Sequence, residues 1–302
     1  MSLNSQTSSM KSMISKISDE RAGELSIGFA SLLWGLFPVI TVLSYNKLSP
    51  LLSLSISSLV AGLFFGLVIT LKNKWPDVFK RSALVNILLA TLFTGVLYYC
   101  FVFFSLRYTT SGNVSIISLS EVFFSYLFFH ILKKEYISRN HLLGSILVVL
   151  GALIVLYPNL HGFHKGDFLI LVASMIAPFG NFFARKARKE VGSEIIMFVR
   201  SILAGLFIFA LYIIFDNNIL YIDIKSSTLF LLTNGLLLLG FSKILWIEGI
   251  HRIAVTKANA ISSLSPLITL FVAWIVLKQV PTLWQLTAIV PMFFGVRLLS
   301  KM

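Results

Sequence analysis

One carboxylate stands where a carboxylate is hardest to keep. Glu121 lies about 12 residues from either end of the apolar run Thr109 to Leu132, which at about 1.5 Å per residue puts it near the centre of a spanning helix. A charge there is costly in hydrocarbon, and such residues face a polar cavity and mark a transport path. The chemistry open to Glu121 is proton exchange between the two water phases, recognition of an amine, or both. The plain alternative is a carboxylate held by Ser118, Ser120 or a neighbouring helix. Lys243 is the second candidate, about nine residues and about 13 Å from the nearer end of its own run. That is deep for a lysine that only reaches back to the interface, so its role would be to neutralise Glu121 or to meet an anionic group of a solute. Arg200 is nearer its end and reads as snorkelling. Glu248 and Arg252, four apart, read as an ordinary ion pair on one helix face.

Neutral polar groups and rings inside the same runs extend the list. Asn181, like Asn86 and Asn234, carries an amide that either binds solute or joins two helices, the second being the commoner use. Trp34, Tyr98 and Tyr99 stand out from the 27 Phe residues, because their polar edges want a wet or paired surface. Pro38, Pro178 and Pro266 lie inside apolar runs. Each removes a backbone hydrogen bond and frees a carbonyl one turn earlier, either as a packing kink or as a bend that opens a cavity.

Other chemistries find no support. His161-x-x-His164-x-x-Asp167 has ligand-like types, but two histidines without a further nearby ligand do not make a metal site. There is no glycine-rich phosphate loop and no nucleophile with its base on a common loop. The single Cys100 excludes a disulfide framework within the chain. No metal or cofactor is expected, and the chain does not read as an enzyme.

The elements that must hold these groups are legible from composition. Hydrophobic residues make up 57% of 302 positions and charged residues 12%, against about 45–50% and 25% in a typical soluble domain. Runs of about 20 apolar residues are enough to span a bilayer. Ten such runs follow one another: Leu25 to Tyr45, Leu51 to Leu71, Ser82 to Leu106, Thr109 to Leu132, Leu142 to Tyr157, Phe168 to Ala184, Ile195 to Phe215, Thr228 to Ile250, Ala258 to Leu277, and Leu283 to Leu299. The expected fold is an all-α integral membrane protein with the lipid bilayer as its solvent. The net charge of +13 would suggest nucleic acid in a soluble chain, but here the basic residues sit at the ends of the runs. One alternate set of connectors gathers most of them, including Lys72, Lys74, Lys80, Arg81, Arg185, Lys186, Arg188 and Lys189; the other holds only Lys47, Arg107, Lys165, Lys225 and Lys278. By the positive-inside rule both termini are cytoplasmic. The first residues are rich in Ser and Lys and lack an apolar core, so they do not read as a cleaved signal.

The chain repeats itself. Ser118-Leu119-Ser120-Glu121 returns 145 positions later as Ser263-Leu264-Ser265-Pro266, and Arg107/Arg252, Ile116/Ile261 and Lys133/Lys278 match at the same offset. At an offset of 143, Gly23/Gly166, Ala30/Ala173 and Ser31/Ser174 coincide. Ten helices divided in two give five per half, an odd number, so the halves must be inverted. Inverted repeats place a site at the midplane between them. The expected units are a tail at 1–22 and five-helix repeats at 23–157 and 158–302.

Trp34-Gly35, the run Ser105-Leu106-Arg107-Tyr108-Thr109-Thr110-Ser111-Gly112-Asn113, and Leu132-Lys133-Lys134-Glu135 followed by Gly144 and Gly151 resemble the drug/metabolite transporter superfamily, specifically its EamA-like branch. Leu277-Lys278-Gln279 after Pro266 is similar to a worn second copy. The resemblance covers residues 23 to 301 and implies two inverted five-helix repeats. It also implies a cavity lined by the first, third, fourth, sixth, eighth and ninth helices, and export of amino acids, related metabolites or drugs across a bacterial inner membrane. The chain departs from that pattern at Glu121, where the first repeat often has the proline kept here at Pro266.

The expected function is therefore a proton-coupled secondary transporter that exports a small organic solute by alternating access. Glu121 would be the proton or ammonium site. Lys243, Trp34, Tyr98, Tyr99, Asn181, Ser118 and Ser263 would line the solute site, with Pro38, Pro178 and Pro266 as bends. Uptake, exchange and drug efflux are alternatives within transport, and the alternative of another class is a membrane-embedded lipid-handling enzyme or accessory protein. Whether Gly62-x-x-x-Gly66 packs within the chain or against a second copy stays open at this level.

Overall fold

The computed structural model describes residues 3–45, 48–133, 139–157, 164–215, 224–253 and 255–299, and every regular element among them is helical. In lipid a backbone must satisfy its own hydrogen bonds, and a helix does so within one segment. Helix α1 is Leu3–Ser44 and α2 is Pro50–Leu71, with the Ser49 hydroxyl accepting from the Leu52 N–H at 3.3 Å and Pro50 in the first turn. A single turn, Trp75–Val78, leads to α3, Arg81–Tyr108. Helix α4 comes in two pieces, α4a Ser111–Ser118 and α4b Ser120–Lys133. Then follow α5 Arg139–Leu156, α6 Lys165–Ala187 and α7 Ser193–Phe215. Helix α8 runs over 224–252, α9 is again divided into α9a Val255–Ser262 and α9b Ser265–Leu277, and α10 is Leu283–Leu299.

Among the described residues, six helices are long and apolar enough to cross a membrane: Asp19–Ser44, Pro50–Leu71, Arg81–Tyr108, Lys165–Ala187, Ser193–Phe215 and Lys225–Arg252. Leu142–Leu156, Ser265–Leu277 and Leu283–Leu299 are apolar but shorter. Two differences from the sequence expectation stand out. Helix α1 already begins in the Ser/Lys-rich stretch, where no proline or glycine precedes Gly23 to stop it. The fourth and ninth apolar runs are each interrupted rather than continuous.

Packing follows a two-fold pattern. Helix α1 lies antiparallel to α8, Thr41 meeting Asn234 while Gly23 meets Gly249 and Arg252, and parallel to α9, Ser31 meeting Ser262 and Gly35 meeting Ile268. Helix α6 repeats this on the other half. It is antiparallel to α3, Gly166 meeting Ser105 and Gly180 meeting Thr94, and parallel to α4, Asp167 meeting Asn113 and Glu121 meeting Asn181. The remaining helices pair antiparallel across the halves. In α2 and α7, Gly62 meets Ile202 and Gly66 meets Phe198; in α5 and α10, Gly144 meets Gly295. The Gly62-x-x-x-Gly66 stripe therefore packs within the chain. The two repeats run in opposite directions.

Polarity is inside out relative to a soluble domain. Leu63, Leu67, Phe207, Ile214, Leu153 and Phe271 are exposed, while Ser53, Ser55, Thr91, Ser105, Asn234, Thr269 and Gln285 are buried. Buried hydroxyls bind across helices: Ser55 Oγ donates to the Gly205 carbonyl at 2.8 Å, and Thr269 Oγ1 to the Gly35 carbonyl at 2.7 Å. An apolar exterior around hydrogen-bonded polar contacts is what a bilayer selects. Ion pairs collect at one end of the bundle. Lys74 meets Glu194 at 2.8 Å, Lys257 meets Glu20 at 2.6 Å, and Arg252 meets Glu248 at 2.6 Å, the last as the i, i+4 spacing predicted. The Glu194 carboxylate, hydrogen-bonded to Lys74, holds that ammonium above the ordinary lysine range. The small contribution of this surface pair is therefore complete at neutral pH and is lost when Lys74 deprotonates in strong alkali or when the Glu194 carboxylate protonates in acid.

One tight helix approach is testable. A Cβ on Gly35 would stand 2.6 Å from Ile268 Cβ and 2.9 Å from the Ser265 carbonyl, so α1 and α9b cannot both keep their places. Gly35→Val is expected to destabilise the protein by about 1–3 kcal/mol, as overpacking does, seen as a lowered melting temperature in detergent. An unchanged melting temperature would mean that this contact is loose.

Candidate functional site

The two helix interruptions fall on the repeated phrase. Around Leu119, the Leu119 N–H reaches the Ile116 carbonyl and the Val122 N–H the Leu119 carbonyl, both at 3.1 Å. Around Leu264, the Leu264 N–H reaches Ile261 at 3.2 Å and the Leu267 N–H reaches Leu264 at 3.0 Å. The tight i to i−3 turns are thus identical at an offset of 145. In α9b the restart carries Pro266 in its first turn, where a missing N–H costs nothing. Pro266, expected to bend a continuous helix, instead begins a new one. In α4b the equivalent first-turn position is Glu121. The N-terminal end of a helix is its positive end, and a carboxylate is favoured there. That is the local reason an acid is tolerated at this depth.

Glu121 is half-buried, and its Oε1 accepts from Asn181 Nδ2 of α6, in the other repeat, at 2.9 Å. Lys243 of α8 is also half-buried. Among the described residues it forms no ion pair, so the direct neutralisation of Glu121 considered from sequence is not found; its Nζ stands over the Trp34 ring, 3.8 Å from the centroid. Tyr98 and Tyr99 pack edge to face at 5.1 Å, and Tyr99 meets Phe37, which in turn meets Trp34 at 5.4 Å. Glu121 is within electrostatic reach of Lys243 and of both tyrosine hydroxyls. The structure therefore brings six predicted residues, Trp34, Tyr98, Tyr99, Glu121, Asn181 and Lys243, to one place where α1, α3, α4b, α6 and α8 converge.

Two π-helical stretches help to aim them. Thr91–Leu97 in α3 and Thr233–Phe241 in α8 occupy corresponding positions of the two repeats, and Gly95 and Gly240 match at the 145 offset. A π turn re-aims the residues that follow it and is frequent at functional sites. The residues that follow are Tyr98 and Lys243, themselves 145 apart.

The other predicted residues stand further out. Ser118 Oγ donates to the Ser115 carbonyl of its own helix at 2.7 Å, and Ser263 is buried at the break between α9a and α9b. Pro38 and Pro178 are buried inside α1 and α6, which run on through them. Asn234 bonds Thr41 Oγ1 at 3.2 Å and joins two helices, the commoner use expected of it.

Sequence reasoning missed a second polar assembly. Asp167, 2% exposed, accepts from Thr109 Oγ1 at 2.5 Å and from Asn113 Nδ2 at 3.1 and 3.2 Å. Gln285 Nε2 donates to Asn113 Oδ1 at 2.7 Å and to Thr110 Oγ1 at 3.0 Å, while the Ser111 N–H donates to Gln279 Oε1 at 3.0 Å. This network ties α4a to α6 and α10 at the end of the bundle opposite the ion pairs. The sequence spacing sets Asp167 beside His161 and His164; His161 lies outside the described residues, and Asp167 is engaged here instead. The available signal was the polar run Thr109-Thr110-Ser111-Gly112-Asn113.

Two oppositely running helical repeats with an apolar exterior define a membrane protein. The comparisons agree: the profile of the EamA-like transporter family matches residues 21–157 and, a second time, 164–301. The chain belongs to that family, whose members are transporters, and is a multi-pass membrane protein. It is 20% identical over 265 residues to the uncharacterized transporter YoaV of Bacillus subtilis (strain 168), covering 84% of this chain and 88% of that one. A crystal structure of another protein, 15% identical, matches the fold with a TM-score of 0.68 over 92% of this chain and 96% of its own.

Proposed function

We propose that the protein is a secondary transporter that exports a small organic solute, an amino acid or related metabolite, by alternating access coupled to protons at Glu121. The observation that carries this reading is the Glu121–Asn181 contact. A carboxylate on a restarted half-helix of one repeat is held by an amide of the other, so its surroundings change when the repeats rock. Half-helix ends at the repeat interface are where such carriers bind solute and coupling ion.

In this reading the chain crosses the membrane ten times, as repeats 23–157 and 158–302, with α4 and α9 spanning as broken helices and both termini on the cytoplasmic side of a bacterial inner membrane. The ion-paired end of the bundle is then cytoplasmic, and the Asp167 network lies at the outer end. That network would seal the outer side in one state and part in the other.

The test is solute counterflow in proteoliposomes, with pooled amino acids, organic acids, amines and drug-like cations as labelled probes. Reconstituted protein should accelerate exchange of at least one pool over protein-free liposomes, and an imposed pH gradient should drive its accumulation. If no pool exchanges while the protein turns over lipid, the reading falls and the lipid-handling alternative takes its place.

A further inference from the structure

We propose that Arg200, with Lys243, forms an anion subsite beside Glu121, and that the solute is a small organic acid carrying a carboxylate on that subsite. The proposal rests on the transporter reading and narrows its substrate class.

Arg200 does not run outward along the lipid face of α7. Its Cγ lies 3.0 Å from where a Cβ on Gly95 would stand, so its stem is pressed against the π-helical stretch of α3 at mid-length. The side chain is half-buried, and its charge is felt by Tyr99 and by Lys243. Among the described residues its guanidinium has no hydrogen-bond or ion-pair partner. Lys243 has only the face of Trp34. The one carboxylate in reach, Glu121, is bonded to Asn181 and to neither cation. The other nearby acids are accounted for elsewhere: Glu248 pairs with Arg252, Glu194 with Lys74, and Asp167 belongs to the network at the opposite end.

Among the described residues this meeting point of helices thus holds two cations and a single acid. Half-buried cations without partners are disfavoured, and two within electrostatic reach of each other add repulsion. An arriving carboxylate removes both costs, and the planar fork of an arginine suits a carboxylate in two-point contact. A cationic solute would meet Glu121 but also two like charges, which disfavours it. Glu121 stays available for the proton.

The experiment combines binding and flux on the purified full chain. Melting temperature in detergent is followed with glutamate, succinate, alanine or putrescine at fixed ionic strength, and counterflow of the same four labelled probes is measured in proteoliposomes. Wild type, Arg200→Gln, Arg200→Lys and the surface control Arg188→Gln are compared. The acids are expected to raise the melting temperature and to exchange, and putrescine to do neither. Arg200→Gln should weaken both effects at least about tenfold, the loss of one charge-assisted contact, with partial rescue in Arg200→Lys and none lost in Arg188→Gln. If Arg200→Gln does not fold, the charge preference of wild type and the response of Arg200→Lys decide. Exchange of putrescine with no preference for acids, or acid effects unchanged in Arg200→Gln, would overturn the anion subsite and leave transport standing. Stabilisation by acids without exchange of any probe would keep the subsite and remove the transporter reading.

Discussion

Glu121→Gln is expected to abolish solute-driven proton movement, down to the leak of protein-free liposomes, while solute exchange that needs no net proton transfer continues. Glutamine keeps the size of the side chain and can still face Asn181 at the 2.9 Å contact, so the site remains formed. What it cannot do is gain and lose a proton. The restarted helix α4b loses a favourable charge at its N-terminal end, a cost of about 0.3–1 kcal/mol, too small to unfold the protein. A variant that still moves protons with solute would make Glu121 a structural acid and shift the search for coupling to Lys243 and the tyrosines. Simultaneous loss of exchange and of coupling would assign Glu121 to solute binding as well.

Asp167→Ala is expected to give the largest stability loss outside the cavity. The substitution removes the acceptor of Thr109 Oγ1 and Asn113 Nδ2 and opens a space between α4a and α6. Each buried donor left unpaired costs about 1–3 kcal/mol, so the total is about 2–6 kcal/mol, read as a marked drop in melting temperature. Asp167→Asn, which keeps an acceptor oxygen, should fall between Asp167→Ala and wild type. Gln285→Leu should cost less, because Thr110 also accepts from the Asn113 N–H at 3.2 Å and keeps part of its bonding. If Asp167→Ala melts with wild type, the network is not holding this end together.

Much of this arrangement was written in residue types, and the exceptions have physical reasons. Glu121 and Lys243 were visible because a charge in an apolar run contradicts its surroundings, whatever the helix does around it. The repeat was visible because Ser-Leu-Ser recurs at a fixed offset, and the same offset marks both helix breaks. The break at Leu119 has no proline to announce it, since Pro266 has its counterpart in Glu121. Arg200 was misjudged because distance from a helix end says nothing of the direction a side chain takes around the axis. Gly95, which faces it, is remote in sequence. The Asp167 network was hidden for a related reason: its long-range partners lie between 54 and 175 positions apart and are joined only by the packing of four segments. The π-helical stretches leave no mark in composition.

The central claim is that the Glu121 cavity is the water-filled path of the solute, and side-specific thiol labelling tests it most directly. Cys100, the free cysteine of the chain, is replaced by serine, and Ser118→Cys places one thiol a turn from Glu121. A membrane-impermeant maleimide is then applied to one face of oriented proteoliposomes at a time. Labelling from an aqueous face is expected, slowed by the solute that exchanges in counterflow and by no other, and shifted toward the opposite face when the pH gradient is reversed. A thiol that reacts only with lipid-soluble reagents, from neither aqueous face and without regard to solute, would contradict the account.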